Sequence, residues 1–341
     1  MRKRKEVQAL PRSGLVSQIE EYRDELRLFA YRMSGSLLEA DRLAEDILLR
    51  AHEGPGPGAA GGAWPLYRMA VEACVEALVE KAPRTLPALA LQPSDPVALN
   101  REPVRSGWLE PFPDDLYPDN GASMEDAPGF LTESLFGTRE SISLYFIEAL
   151  QRIEPVRRAA LLLSDVLGWD VVEVAAAMVT SPAKTIGLLE DARGDMDGFY
   201  LRDLGRREPP SDESATAVFM RYLYSWETTS VGSLAGQLSG GVTLQVIPGA
   251  AWYGGRDAVL THLEVDRLGE GAEGCWRLLP RRANGQLAFG VYRRDMMTGL
   301  YLAHSIQVLH FESDLVSEII SFEYPSLFPF FDLLPQLSPQ G

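Results

Sequence analysis

The sequence predicts a multidomain chain: an all-α unit, a helix-turn-helix unit, and an α+β domain built on an antiparallel sheet. Three observations predict it. With 341 residues and 46% hydrophobic content, the chain is longer than one core fills, since single cores stop growing beyond roughly 250 residues. Apolar residues recur at helical spacing before residue 80 and again between residues 140 and 191, as amphipathic helices require. Beyond residue 214, one further amphipathic helix gives way to runs that alternate apolar and polar side chains, the period of a strand with one buried face.

Leu26, Phe29, Ala30 and Met33, then Leu43, Ile47 and Leu48, define two helices around a tight turn at Ser34-Gly35-Ser36. The Gly-, Pro- and Ala-rich stretch Glu53 to Gly62 is a loop, and Trp64 to Val79 is helical again, with Leu66, Met69, Ala73, Cys74 and Ala77 on its apolar side. These elements form a first unit over residues 14–81. Residues 82–138 are Pro-rich and acidic (Asp114, Asp115, Asp119, Glu125, Asp126) and read as a linker with at most local order. Helical pattern resumes at Glu140–Ile153, Pro155–Leu167, Val171–Met178 and Pro182–Asp191, a helix-turn-helix unit over 139–205. After a charged, Pro-containing break at Arg206–Ser214, the third domain (212–335) opens with a helix at Ala217–Ser225 and short helical pieces. Strands follow at Val242–Ile247, Trp276–Pro280, Gln286–Arg293, Tyr301–Phe311 and Leu315–Phe322.

The net charge is −16, from 32 basic and 48 acidic residues. Up to residue 200 there are 21 basic against 32 acidic residues (−11), and beyond it 11 against 16 (−5). Such a chain repels phosphate overall, which counts against nucleic acid as a partner. Cys74 and Cys275 lie too far apart in sequence to suggest a metal site or a disulfide framework, so a reduced cytoplasm and no cofactor or metal are expected. No apolar segment follows the basic start Arg2-Lys3-Arg4-Lys5, and the uncharged run Thr228–Gly255 is too polar for a bilayer span.

Three stretches together resemble RNA polymerase sigma factors of the extracytoplasmic-function (ECF) group that carry a C-terminal SnoaL-like domain. Tyr31-Arg32-Met33-Ser34-Gly35-Ser36, with Glu39-Ala40-Asp41 and Leu48-Leu49-Arg50-Ala51, resembles the helices of sigma region 2 that dock on the polymerase clamp. Leu66-Tyr67-Arg68-Met69-Ala70 is similar to the helix reading the −10 element. Ala149 to Ala159, with Asp165-Val166-Leu167-Gly168-Trp169 and Glu173-Val174-Ala175, resembles sigma region 4, the helix-turn-helix for the −35 element. Trp108-Leu109-Glu110-Pro111-Phe112-Pro113-Asp114 is similar to the linker of this subset. Trp252 to Ala258, Arg282-Ala283-Asn284-Gly285-Gln286 and Ser326-Leu327-Phe328-Pro329 resemble the SnoaL-like domain, which implies a cone with a curved antiparallel sheet.

The resemblance implies a transcription initiation factor regulated by its C-terminal domain, partnered by RNA polymerase core and promoter DNA. Arg32, Glu39, Asp41 and Arg50 are the implied polymerase contacts; Arg68, Thr180, Ser181, Lys184 and Arg193 are the implied DNA contacts. Recognition helices need Arg, Lys, Asn and Gln for phosphates and base edges. This chain departs from that at Ile186, Gly187, Glu190 and Asp191 on the −35 helix, and at Val71-Glu72 and Val79-Glu80 on the −10 helix. Its DNA-contact positions are eroded. The alternative is a sigma-derived regulator that no longer reads promoters and uses the SnoaL-like pocket for a ligand or the helical units for protein contacts. Trp226, Trp252, Tyr253, His262 and His304 are candidates to line such a pocket. No carboxylate and His pair stands at a diagnostic spacing, His310 included, so a non-enzyme is expected. The apolar tail Phe328–Pro335 either docks on another surface or packs as a terminal segment.

Overall fold

The computed structural model describes residues 20–53, 64–98, 107–118, 142–203 and 212–339. The predicted loop at 54–62, the part of the linker after 118 and most of the break near 207 lie outside these residues.

Helices α1 (Arg23–Ser34) and α2 (Leu37–Glu53) flank the predicted turn, where Gly35 sits at φ +70°. A Cβ there would come within 2.6 Å of Leu109 and 3.2 Å of Gln151, so the turn requires glycine for conformation and for space. Helix α3 (Trp64–Leu78) buries Leu66, Tyr67, Ala70 and Cys74 against both, with the Tyr67 ring edge-on to Phe29 at 5.4 Å.

The second unit follows the predicted order. Helix α5 (Leu144–Gln151) is capped by Ser143, and α6 (Pro155–Leu161) is capped by Glu154 and continues as a π-turn over Leu162–Val166. Helix α7 (Val171–Ala177) opens with a reciprocal capping box between Asp170 and Glu173. Helix α8 spans Pro182–Asp203 rather than ending at Asp191, because Leu189, Ala192 and Met196 prolong its buried stripe. Helices α7 and α8 meet at 99°, within the range of a helix-turn-helix.

The linker departs from the sequence reading. Rather than showing local order at most, residues 82–98 and 107–118 are folded, with a helix α4 (Pro87–Ala90), a Thr85–Trp108 bridge and a 3₁₀ turn at Asp114–Leu116. Trp108, Leu109 and Phe112 are buried. The backbone finds partners within the linker and in the first unit: Leu109 N donates to Thr85 O at 3.1 Å and Glu110 N to Gly35 O at 3.0 Å. Proline, which lacks a donor, suits a buried extended segment of this kind.

The third domain places α9 (Asp212–Glu227), α10 (Val231–Ala235) and α11 (Arg256–Leu263) with a sheet of β1 (Leu238–Ile247), β2 (Ala251–Gly254), β3 (Trp276–Ala283), β4 (Gln286–Arg294), β5 (Tyr301–Glu312), β6 (Leu315–Phe322) and β7 (Gln336–Leu337). The order is β2-β1-β6-β5-β4-β3, with β7 on β5. The sheet is mixed rather than antiparallel throughout, since the crossover from β1 to its neighbour β6 brings the two in parallel. One face joins Tyr222, Trp226, Trp276 and Phe289 in an aromatic core. The other face, with Ile306, Val308, Ile320 and Phe322, is continuous with the core of the helical units. Each such aromatic or aliphatic side chain contributes about 1.5–3 kcal/mol on full burial. The tail packs at home: Phe328 meets Tyr292 edge-on at 5.1 Å, and Leu333 fills the space over Gly290, where a Cβ would approach it to 2.3 Å.

Candidate functional site

The polymerase-contact candidates are not presented alike. Arg32 and Glu39 are buried. The Arg32 guanidinium reaches the Tyr117 hydroxyl at 3.3 Å, and its carbonyl accepts from Gln151 of α5 at 3.2 Å. Glu39 accepts from Lys81 and, at 2.9 Å, from Arg84. Burial works against its carboxylate, yet these cations outweigh that and hold the carboxyl below the usual range. Asp41 pairs with the nearly buried Arg27 at 2.8 Å, and exposed Arg50 pairs with Asp46 one turn away at 2.7 Å.

The DNA-contact candidates fall on two exposed faces. Ser181 and Lys184 are exposed at the start of α8, with Thr180 half-buried in the turn before it. Arg193 is committed inside the unit, its guanidinium giving two bonds to Asp165 at 2.6 and 2.8 Å, a pairing that raises its already high pKa. On the same helix Asp191 and Asp195 draw Arg157, at 3.2 and 3.4 Å. Arg68 on α3 turns to Glu72 at 3.1 Å. Asp191 and Asp195 therefore pair α8 with α6, whereas Glu72 pairs within α3.

What joins the three units is a pair of polar junctions that sequence reasoning missed. The first is the two-residue β3–β4 hairpin. Asn284 and Gly285 both have positive φ, +53° and +72°, the geometry of a type I′ turn. The Asn284 amide donates to the Tyr31 hydroxyl of α1 at 2.9 Å and to the Ile142 carbonyl ahead of α5 at 2.6 Å. Its oxygen accepts from Phe112 N of the linker at 2.8 Å. Its backbone N–H donates to Phe112 O at 2.9 Å. Tyr31 completes the ring by donating to Glu110 O at 2.9 Å, and its phenol is pushed far up by burial. Beside it, Gly285 N donates to Asp114 at 2.9 Å. Glu110 accepts from Ser36 at 2.8 Å and from Leu38 N at 3.0 Å, while burial raises its pKa. The Asn-Gly pair is legible as a turn; its second task is not.

The second junction is the buried Glu318 of β6. It accepts from Tyr145 of α5 at 2.7 and 2.8 Å and from Gln245 of β1 at 2.8 Å, with His310 Nε2 at 3.8 Å. Gln245 in turn accepts from Ala88 N of the linker helix at 2.9 Å. Between the helical units, Arg158 of α6 gives its bonds to the carbonyls of Met33, Gln151 and Ile153, and the Tyr67 and Trp169 rings meet at 5.1 Å.

The pocket candidates divide between two places. Trp226 and His304 face the aromatic interior, each edge-on to Trp276, at 5.6 and 5.3 Å. A bulge in β5 opposite Val291–Tyr292 re-aims His304 toward that side. Burial, then Arg267, pushes its pKa down to about 4. Trp252 instead grips the linker, its indole donating to Leu91 O at 3.0 Å. Tyr253 stacks on His262, whose Nδ1 lies 3.3 Å from Pro96 O. Among the described residues no group of His, Cys, Asp or Glu could hold a metal ion, and no single helix is long and apolar enough to cross a membrane.

Two helical units, the second a helix-turn-helix, joined by a folded linker to an α+β cone, define the architecture of an RNA polymerase sigma factor with a C-terminal extension. No protein-family model matches the chain. It is 33% identical over 326 residues to the ECF RNA polymerase sigma factor SigG of Mycobacterium tuberculosis in two strains, covering 94% of this chain and 84% of that protein. The chain belongs to the ECF sigma factors. Its fold matches the crystal structure of the M. tuberculosis ECF sigma factor SigJ, with a TM-score of 0.56 at 19% identity over 94% of this chain and all of the other.

Proposed function

We propose that this protein starts transcription with RNA polymerase core, α1 and α2 giving the docking surface and α3 and α8 approaching promoter DNA, and that its SnoaL-like domain restrains this activity. The observation that carries the reading is the double use of the docking surface: Arg32 and Glu39, the implied polymerase contacts, are buried under the linker and α5 in an arrangement clasped by Asn284. Core binding then requires the seam to open, and the third domain sets how often it does. The division of the chain into units over 14–81, 139–205 and 212–335 is part of this proposal. Of the named DNA contacts, Thr180, Ser181, Lys184 and Arg68 are assigned to phosphates rather than to base edges. The SnoaL-like domain is assigned a clasping role, without turnover, since Glu318 and His310 lie in the junction with α5.

The test is core-polymerase binding followed by run-off transcription on genomic promoters, comparing the full chain with a truncation near residue 207 and with Asn284→Gly. Restraint predicts tighter core binding for Asn284→Gly than for the wild type. If neither the full chain nor either variant binds core, the reading is lost, and the protein is a regulator that kept the fold without the job.

A further inference from the structure

The cleft between the two helical units has a character of its own. It encloses about 430 Å³, large enough for a small-molecule site. It lies in the part of the chain that carries −11, yet among the described residues its lining holds four cations, Lys81, Arg84, Arg152 and Arg158, and one carboxylate, Glu154. Glu39 neutralises part of the charge of Lys81 and Arg84, and Glu148 that of Arg152 at 2.8 Å. Glu154 is occupied in accepting from Val156 N and Arg157 N.

Arg158 is the odd member. It is 4% exposed, and among the described residues its bonds run to carbonyl oxygens with no carboxylate among them and its Nε makes no hydrogen bond. Burial lowers its pKa to about 10. A buried guanidinium without a carboxylate is costly unless an anion meets it. The lining also includes the apolar side chains of Leu78, Val79 and Ile153.

We propose that this cleft binds a phosphorylated small molecule of mononucleotide size, its phosphates on Arg158, Arg84, Lys81 and Arg152 and its base against Leu78, Val79 and Ile153. Guanidinium groups bring charge and directed donors to phosphate; at Arg158 the uncommitted donor is Nε, the two terminal nitrogens being spent on carbonyls. Because the walls come from both helical units, the ligand favours the packed arrangement over any in which the units part. The further consequence that ligand and polymerase core oppose each other rests on the function proposed above; the binding does not.

The experiment is isothermal titration calorimetry and thermal melting of the full chain with adenosine triphosphate, pyrophosphate and adenosine, without polymerase. Adenosine triphosphate binds and raises the melting temperature, pyrophosphate binds roughly 10-fold more weakly, and adenosine gives no heat. The double variant Lys81→Ala, Arg152→Ala loses about 10-fold or more in affinity, with an unchanged melting temperature in the absence of ligand. If that variant melts lower, Lys81→Ala alone carries the test, since its side chain is 49% exposed. No heat and no shift with adenosine triphosphate at about 1,000 times a micromolar Kd, or full affinity in the variant that retains the wild-type melting temperature, overturns the site. Equal affinity for pyrophosphate overturns the role of Leu78, Val79 and Ile153.

Discussion

The exposed face of α8 and the seam around Asn284 use polar residues in opposite ways. On α8 the charges are many and individually weak: Arg193, Asp191 and Asp195 are each about half exposed and pair with neighbouring helices, a setting where ion pairs contribute about 0–1 kcal/mol. In the seam there are few polar groups and nearly all are buried, so each missing partner leaves an unsatisfied donor or acceptor costing about 1–3 kcal/mol. The difference teaches where this protein has room to vary. The helix face can drift in sequence while the fold stands, whereas the seam cannot lose one amide without loosening three units.

That contrast can be broken at its strongest point first. Asn284→Gly keeps the positive φ and removes the amide, and it is expected to cost about 3 kcal/mol in urea unfolding. An effect near zero would mean that the hairpin tip is a bystander. Next, the depressed pKa of His304 makes stability depend on pH. The folded state holds the ring neutral while the unfolded ring, with its ordinary value of 6.5, takes up a proton. The contribution is therefore fully present above 6.5 and is lost as pH falls toward about 4. Between pH 7 and pH 5 the wild type is expected to lose about 2 kcal/mol more than His304→Gln, measured by denaturant midpoints at each pH. Tyr145→Phe tests the second junction, with an expected loss of about 1–2 kcal/mol in urea; a smaller loss would leave Glu318 anchored by its partners within the sheet, Gln245 and Thr243 among them. The smallest change belongs to the helix face: Glu190→Gln with Asp191→Gln alters stability by about 0.5 kcal/mol or less. In fluorescence anisotropy it strengthens promoter binding and steepens its salt dependence. No change in binding would separate α8 from DNA altogether.

The elements themselves were largely legible in the sequence. Five of the strands and the helical segments of both α units appear close to their expected positions, because 3.6- and 2-residue periods are local properties. The two missed strands, β2 (Ala251–Gly254) and β7 (Gln336–Leu337), are too short to show alternation. The linker misled for a different reason: Pro and acidic residues signal a lack of regular structure, and nothing local shows that Trp108, Leu109 and Phe112 will be covered by partners far away in sequence. The candidate site was legible only as residue types. Trp252 and His262 looked like pocket residues and turn toward the linker instead. Arg193 looked like a phosphate ligand and is paired with Asp165, 28 positions earlier. Asn284 is bound to Tyr31 across 253 positions. Contacts of that span depend on how finished units meet, and no window of a sequence contains both ends.

The seam has a consequence for how the polypeptide is held together. Asn284, Glu318, Trp252 and Asp114 tie the third domain to the others without using the peptide that follows Asp203. Those contacts can hold the domain in place whether or not the chain is continuous. Two pieces made separately, one ending at Asp203 and one beginning at Asp212, should find each other and reassemble, and a single proteolytic nick between them would leave the molecule whole in solution.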